Sequence, residues 1–257
     1  MKKLLVILFC WSLIFNSCKK EPLSTYLTLH FTHTIDGIPL DLTTGADLPY
    51  INAEQQKYNI KKIQYLISNI SMHTEQGRKY FSEVHFVDAD DPSTLTLDLG
   101  QLYGGLWMNL EFTIGLNDYL NTSNAYINEG FHSEMVWPEM LGGGYHYMKI
   151  EGNFDNNNTF YNIHTGPTPF YFNPNDSSMV SNDWSINIGG NCPNFDNFVF
   201  NVDGGLGDVD VTLNMELSHW FDVENILTSN EIIQDVNMQI LLQNSGFCIF
   251  SNFVNYE

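Results

Sequence analysis

The chain has few basic residues. Lysine and arginine together number 10, against 30 aspartates and glutamates, so the formal net charge is −20 at pH 7. A chain this acidic is repelled by phosphate backbones, which argues against a nucleic-acid partner. An acidic surface also keeps a protein soluble and attracts cations.

Several catalytic and metal-binding motifs are also missing. The sequence has no His-x-x-x-His or Cys-x-x-Cys spacing, so neighbouring residues alone do not form a metal site. It has no Gly-x-Ser-x-Gly elbow, and none of its many acid pairs can be singled out for glycoside chemistry. The glycines at 142–144 lack the Lys-Ser/Thr pair and helix of a phosphate loop, so we expect them to allow a tight backbone path before Tyr145. We predict a binding protein, not an enzyme.

The start of the chain holds its one long apolar run. A basic start and the apolar residues 4–15 precede small Ser17 and then Cys18. This pattern is typical of a secretory signal and is too short for a spanning helix, which needs roughly 20 residues. We predict a lipoprotein signal at 1–17, lipid on Cys18 and a tether through residue 25, which would anchor an exported protein to a membrane of the cell envelope. The alternative is an ordinary signal peptide with an incidental cysteine.

Only two cysteines remain beyond the predicted lipidation site. In an oxidising compartment we predict that Cys192 and Cys248 form a disulfide. The closed loop is long, and the chain-entropy model gives about 4 kcal/mol of stabilisation for it. Two buried thiols, or two soft copper ligands, are the alternatives.

The rest of the chain shows mostly period-two hydrophobicity. Apolar residues alternate with polar ones over Leu106–Ile114 and over 209–217, which predicts strands with one buried face. The stretch 58–73 loses its parity twice, which predicts β-bulges. Because turns rich in Asn, Asp and Gly separate the strands, we predict an all-β fold, an antiparallel β-sandwich of Ig-like architecture, as a single domain over residues 26–257.

Helical periodicity is confined to the C-terminal part. One helix is predicted over 230–243, with Asn230 as its N-cap and Gly246 beyond its end. A shorter helix is predicted within 218–227. No fixed-period repeat or low-complexity linker divides the chain.

The most distinctive stretch covers residues 135–152. It reads MVWPEMLGGGYHYMKIEG, and IHTG follows at 163–166. This order of Met-x-Trp, Gly-Tyr, Glu-Gly and His-x-Gly resembles the MbnP-like family of exported bacterial proteins, named for a partner in methanobactin and copper handling. YLISNI at 65–70 and FTIG at 112–115 also fall in the family's order, so the resemblance covers most of the mature chain.

The resemblance implies a periplasmic or surface β-sandwich that binds copper. It also implies a partner, a di-haem enzyme of the peroxidase type, that oxidises a tryptophan to kynurenine as the metal site forms. Trp137 stands at the matching Met-x-Trp position. One common form of the motif has a second tryptophan two residues later, where this chain has Glu139. The alternative for Trp137 is a packed aromatic side chain in an unmodified protein.

Histidines are the candidate copper ligands, because neutral imidazole suits copper and thioethers suit Cu(I). We predict His164, His146 and His33 as the ligands, assembled from distant strands. His30 and His33 are three residues apart and face opposite ways in a regular strand, so they cannot both reach one ion. Each histidine could instead have a structural role.

A second metal candidate is calcium at Asp203, Asp208 and Asp210, around a glycine-rich turn. Calcium takes six to eight oxygens, so this loop would need further ligands, and solvated acids at a hairpin turn are the alternative.

Three functions remain open from the sequence. The leading hypothesis is an envelope lipoprotein that captures or delivers copper. The second is a glycan- or peptide-binding adhesion module, for which Trp107 and Trp184 are candidate exposed aromatics. The third is a structural lipoprotein that packs against a partner protein.

Overall fold

The computed structural model describes residues 24–81, 84–155, 159–172, 179–182, 186–188, 192, 195, 198–205, 207–228, 232–246 and 248–256. The predicted signal, the lipidation site Cys18 and the candidate Trp184 lie outside these residues. Within the described part, no helix is long and apolar enough to cross a membrane.

The described residues are mainly strands joined by loops. The strands, in chain order, are β1 (Ser24–Ile35), β2 (Ile38–Pro39), β3 (Tyr50–Ile51), β4 (Lys57–Tyr58), β5 (Lys62–Thr74), β6 (Gly77–Tyr80), β7 (Val84–Asp88), β8 (Thr96–Tyr103), β9 (Leu106–Ile114), β10 (Met148–Phe154), β11 (Thr159–Thr165), β12 (Thr168–Phe172), β13 (Met179–Asn182), β14 (Ile186–Ile188), β15 (Val199–Asn201), β16 (Val209–Glu216) and β17 (Phe250–Tyr256). The α-helices are α1 (His132–Met135), α2 (Ser218–Phe221) and α3 (Val236–Ser245). Short 3-10 turns occupy Pro92–Thr94, Glu139–Leu141, Val202–Gly204 and Ile232–Gln234.

The described strands form two main sheets and a separate β12–β13 pair. The smaller main sheet has five strands in the order β17-β16-β1-β2, with β8 also paired to β1. The larger has ten, centred on β14-β9-β5-β10-β4-β3, with β11 on β10, β15 on β9, and β6 and β7 on β5. The predicted all-β sandwich is confirmed, with one change: β1 and β16 run parallel. A parallel pair needs a long crossover, and most of the chain lies between these two strands.

The core lies between the two main sheets. Along β16 the residues Val209, Val211, Leu213 and Met215 are buried in alternation, as the sequence predicted. Phe250 of β17 contacts Phe112 of β9, with ring centroids 5.1 Å apart. The inner faces of the two sheets therefore pack directly against each other.

Bulges change the alternation on β5 and β9. The register of β5 against β9 shifts between Ser68 and Ser71, where Asn69 has φ 53°, so a predicted bulge is confirmed. A second shift follows Met72 and coincides with Asn109 on β9, at φ 51°. The strict alternation predicted for β9 is therefore wrong at its start. Trp107, expected on the wetter face, is buried beside Phe81.

The C-terminal part differs from prediction in its helix boundary. Helix α3 begins at Val236 instead of near Asn230, which lies outside the described residues. Asp235 is the N-cap, because its side chain accepts a hydrogen bond from the backbone N of Met238.

Cys192 and Cys248 form the predicted disulfide, with their Cα atoms 4.8 Å apart.

Candidate metal centre

The β10–β11 hairpin determines the direction of His164. The two strands pair antiparallel, with Lys149 opposite His164. Met148, next to Lys149, pairs with Tyr65 of β5, whose ring contacts Phe250 in the smaller sheet. Because successive strand residues face opposite sides, His164 lies on the outer face of the larger sheet, away from the core.

The connection between β9 and β10 covers part of this outer face. Gln64, on the same face of β5, donates to the carboxylate of Glu134 in α1 at 2.6 Å. The Nζ of Lys149 donates to the backbone oxygen of Glu134 at 3.1 Å. The side chain of His164 is 17% exposed.

His146 lies in that connection, two residues before β10, and is buried. Its backbone N donates to the carbonyl oxygen of Met135 at 2.6 Å, and its Nδ1 is 3.3 Å from the same oxygen. A carbonyl oxygen only accepts hydrogen bonds, so this contact assigns the ring proton to Nδ1 and leaves the lone pair on Nε2.

His164 and His146 form a pair. Their ring centroids are 5.1 Å apart, and the rings are nearly perpendicular. The Nε2 of His164 lies 2.9 Å from Oε1 of Glu151, and this contact assigns the proton to Nε2. Each ring thus keeps one nitrogen for a ligand while the other donates to an oxygen, which is the usual arrangement around metal-binding histidines.

The electrostatics of the pair favour neutral imidazole. Burial, and to a smaller extent the neighbouring His164, lowers the pKa of His146 to about 3. The hydrogen bond from His164 holds the pKa of Glu151 below its usual range. His146 is therefore neutral at physiological pH, and a metal ion would not have to displace a proton from it.

Trp137 packs against His146 and is fully buried. Its ring centroid lies 4.8 Å from that of His146, and its Nε1 donates to the carbonyl oxygen of Leu141 at 3.1 Å. A Cβ atom added to Gly166 would lie 2.5 Å from Cε3 of Trp137, so glycine is required beside the indole.

The glycine run beside Trp137 has the tight path that the sequence predicted. Gly142, Gly143 and Gly144 all have positive φ angles, between 71° and 111°. The backbone N of Trp137 donates to the carbonyl oxygen of Gly144 at 2.9 Å. This path holds the indole next to the histidine pair.

His33 is separated from the pair by the larger sheet. It lies on the inner face of β1, where its Nε2 is 3.1 Å from the hydroxyl of Tyr65. Burial lowers its pKa to about 4. Since Tyr65 faces the core and His164 faces outward, the structure does not bring His33 to the other two histidines. His30 faces the opposite way from His33, as predicted, and bonds Asp210 at 2.7 Å.

No group of three His, Cys, Asp or Glu side chains among the described residues is placed to hold a metal ion. The candidate centre therefore contains two imidazoles with Glu151 behind one of them. Sequence reasoning gave Glu151 no role. The sequence did contain a signal for Glu151. In the hairpin Lys149 lies opposite His164, and Glu151, two residues further along β10, is therefore a diagonal neighbour of His164.

The three aspartates considered for calcium bond to different groups. Asp203 accepts from the backbone N of Gly105 at 2.9 Å, and Asp208 accepts from the backbone N of Tyr26 at 2.9 Å. Asp210 is the partner of His30. Among the described residues these three carboxylates do not form a cluster that could hold a metal ion.

Comparisons with known proteins show the family and the fold. A model of the MbnP family matches residues 24–239. Among solved structures, MbnP from Methylosinus trichosporium is similar in fold, with a TM-score of 0.56, at 13% sequence identity, covering 91% of this chain and 99% of that chain. No curated protein sequence matches this chain.

Proposed function

This chain belongs to the MbnP family, and on that premise we propose that it is an exported copper-binding protein of the bacterial envelope. It captures or delivers the ion and is not itself an enzyme. The family link agrees with the resemblance drawn from residues 135–152 and 163–166. That link associates the chain with methanobactin and copper.

The observation that carries the proposal is the pairing of His146 with His164. Two imidazoles 5.1 Å apart, each with an oxygen acceptor on its other nitrogen, match the preference of copper for nitrogen ligands. We assign His164 and His146 as ligands and leave out His33, because it lies across the sheet. Any further copper ligand would come from a group other than the imidazoles of His146 and His164.

Copper binding can be tested with the purified mature protein. After copper loading and desalting, the wild type should retain about one copper ion per chain. His164→Ala and His146→Ala should each lose it. His30→Ala is the matched control, because His30 also bonds a carboxylate but lies on the smaller sheet. Full retention by both pair variants would refute the proposed ligands.

Trp137 is the proposed target of a di-haem peroxidase-type partner. Oxidation of this ring would change the group that contacts His146. Mass analysis of the peptide containing Trp137, after expression with and without such a partner, should show the conversion to kynurenine. The peptide containing Trp107 serves as the control. A Trp137 peptide of unchanged mass in the presence of an active partner would exclude the modification.

Anchoring by lipid on Cys18 completes the proposal. Metabolic labelling with a radioactive fatty acid should mark the wild-type protein and not Cys18→Ala. The unlabelled variant should also leave the membrane fraction. Equal membrane retention of both proteins would contradict lipid anchoring.

A further inference from the structure

A second polar site lies elsewhere on the outer face of the larger sheet. Phe112 faces the core and contacts Phe250, so Glu111, one residue earlier, faces outward. Glu111 pairs with Ser71 of β5, and Ser71 also pairs with Tyr80 of β6. The three side chains therefore form a row across neighbouring strands on this face.

The only arginine in the sequence is at this site. Arg78 on β6 contacts Oε2 of Glu111 at 2.6 Å. The other carboxylate oxygen, Oε1, is 3.1 Å from Nε2 of His73. The guanidinium of Arg78 also lies 3.0 Å from the same Nε2 of His73, and because a guanidinium only donates, Arg78 binds both residues and balances the charge of Glu111.

Arg78 and Glu111 line a cavity of about 370 Å³, together with Ser71, Tyr80, Asn69 and Thr113. This volume is within the usual range for small-molecule sites. Ser71 is fully buried, and its hydroxyl has no hydrogen-bond partner. Ser71 lines this cavity and faces the same side of the sheet as Glu111 and Tyr80. A buried hydroxyl without a partner is unusual and indicates that something else satisfies it.

The chemistry of the cavity fits a neutral ligand rich in hydroxyl groups. Arg78 and the amide of Asn69 donate, Glu111 accepts, and the Ser71 hydroxyl does both. The positive and negative charges are already paired, so neither a simple anion nor a cation is favoured. Tyr80 is 61% exposed and gives an aromatic surface at the rim.

We propose that this cavity binds a neutral sugar, whose hydroxyl groups donate to Glu111 and to Ser71 and whose apolar face contacts Tyr80. A sugar hydroxyl donates and accepts at once, as this mixed set of partners requires. The site is independent of the copper proposal, since its residues are not shared with the His146–His164 pair.

Saturation-transfer NMR with D-glucose, D-galactose, D-mannose and N-acetyl-D-glucosamine tests this site on the full mature protein. At least one sugar should bind the wild type. Glu111→Gln should weaken that binding about tenfold or more, because a charged acceptor is lost. Asp210→Asn is the matched control, since Asp210 also bonds a histidine on an outer sheet face, and it should leave sugar binding unchanged.

Ser71→Ala separates a binding role from a structural one. It removes an unpartnered hydroxyl, so the free energy of unfolding should stay equal or rise while sugar binding falls. Absence of binding for all four sugars, or binding unchanged in both Ser71→Ala and Glu111→Gln, would overturn the proposal. So would displacement of the sugar by acetate or phosphate. Copper retention should be normal in both variants, so the two proposals fail separately.

Discussion

Two histidine–carboxylate pairs lie on opposite outer faces of the sandwich and have similar geometry. His164 bonds Glu151 at 2.9 Å on the larger sheet, and His30 bonds Asp210 at 2.7 Å on the smaller one. Their surroundings differ. His164 is 17% exposed and adjoins His146, whereas the side chain of His30 is 39% exposed and its other nitrogen lies near the hydroxyl of Thr96.

Under the copper proposal, a histidine–carboxylate pair is not sufficient for a metal site. The pair on the larger sheet differs because it adjoins a second imidazole, that of His146. The connection between β9 and β10 holds this imidazole over the outer face. We expect the two regions to respond independently to mutation.

The largest expected effect is on the smaller-sheet side, where the disulfide lies close to β17. Replacing both Cys192 and Cys248 with Ser should lower the free energy of unfolding by about 4 kcal/mol, because the unfolded chain gains the entropy of an open loop. Denaturant unfolding measures this loss. Copper retention by the folded variant should not change, and its loss while circular dichroism remains native would contradict the independence of the regions.

A second test replaces the carboxylate of each pair with the corresponding amide. Glu151→Gln should weaken copper binding about ten- to a hundredfold, because the acceptor behind His164 loses its charge. Asp210→Asn makes the matching change beside His30 and should leave copper affinity as it is. Competition titration against a copper chelator measures both. Equal effects of the two changes would remove the distinction between the pairs.

A third test disturbs the packing behind the histidine pair. Gly166→Ala places a methyl group against the Trp137 ring and should cost about 1–3 kcal/mol of stability. The near-ultraviolet circular dichroism of the indole should change, and copper retention should fall. Gly130→Ala is the control, because a Cβ there meets nothing within 4 Å. An unchanged spectrum in Gly166→Ala would contradict the close packing of Gly166 against the Trp137 ring.

A fourth test concerns the pH dependence of stability. The pKa of His146 is about 3 in the folded protein and about 6.5 in the unfolded chain, so the unfolded chain takes up the proton first as the pH falls. The stability from the neutral ring is complete above about pH 6.5 and is lost progressively towards pH 3.

Thermal unfolding between pH 7 and 4 measures this dependence. Tm should fall less steeply for His146→Gln than for the wild type. His30→Gln, on the other face, should keep the wild-type slope. If the Tm of His146→Gln fell with pH as steeply as that of the wild type, burial of the His146 ring would not contribute to the pH dependence of stability.

The alternation in β16 predicted both the strand and its buried face, because a regular strand follows period two without interruption. The same argument was wrong for the start of β9. Asn109 adopts a left-handed conformation there and inserts one residue into the pairing, which turns Trp107 inward. A bulge is set by the partner strand, so the sequence of β9 alone did not reveal it.

The helix near the C-terminus shows a smaller error of the same kind. The periodicity located it, but Asn230 and Asp235 are both good N-cap residues. Which of these two residues caps the helix depends on where, in the folded chain, the first backbone N–H groups of the helix lack a partner.

The sequence by itself determined the family, the all-β class, the pairing of Cys192 with Cys248 and the opposite directions of His30 and His33. These follow from local periodicity, rare residues in a fixed order and a small number of cysteines. Only the tertiary structure decided which histidines meet. His33 and His164 are separated by a sheet, and His146 reaches His164 from a loop, because strand pairing and loop packing between distant segments set those positions.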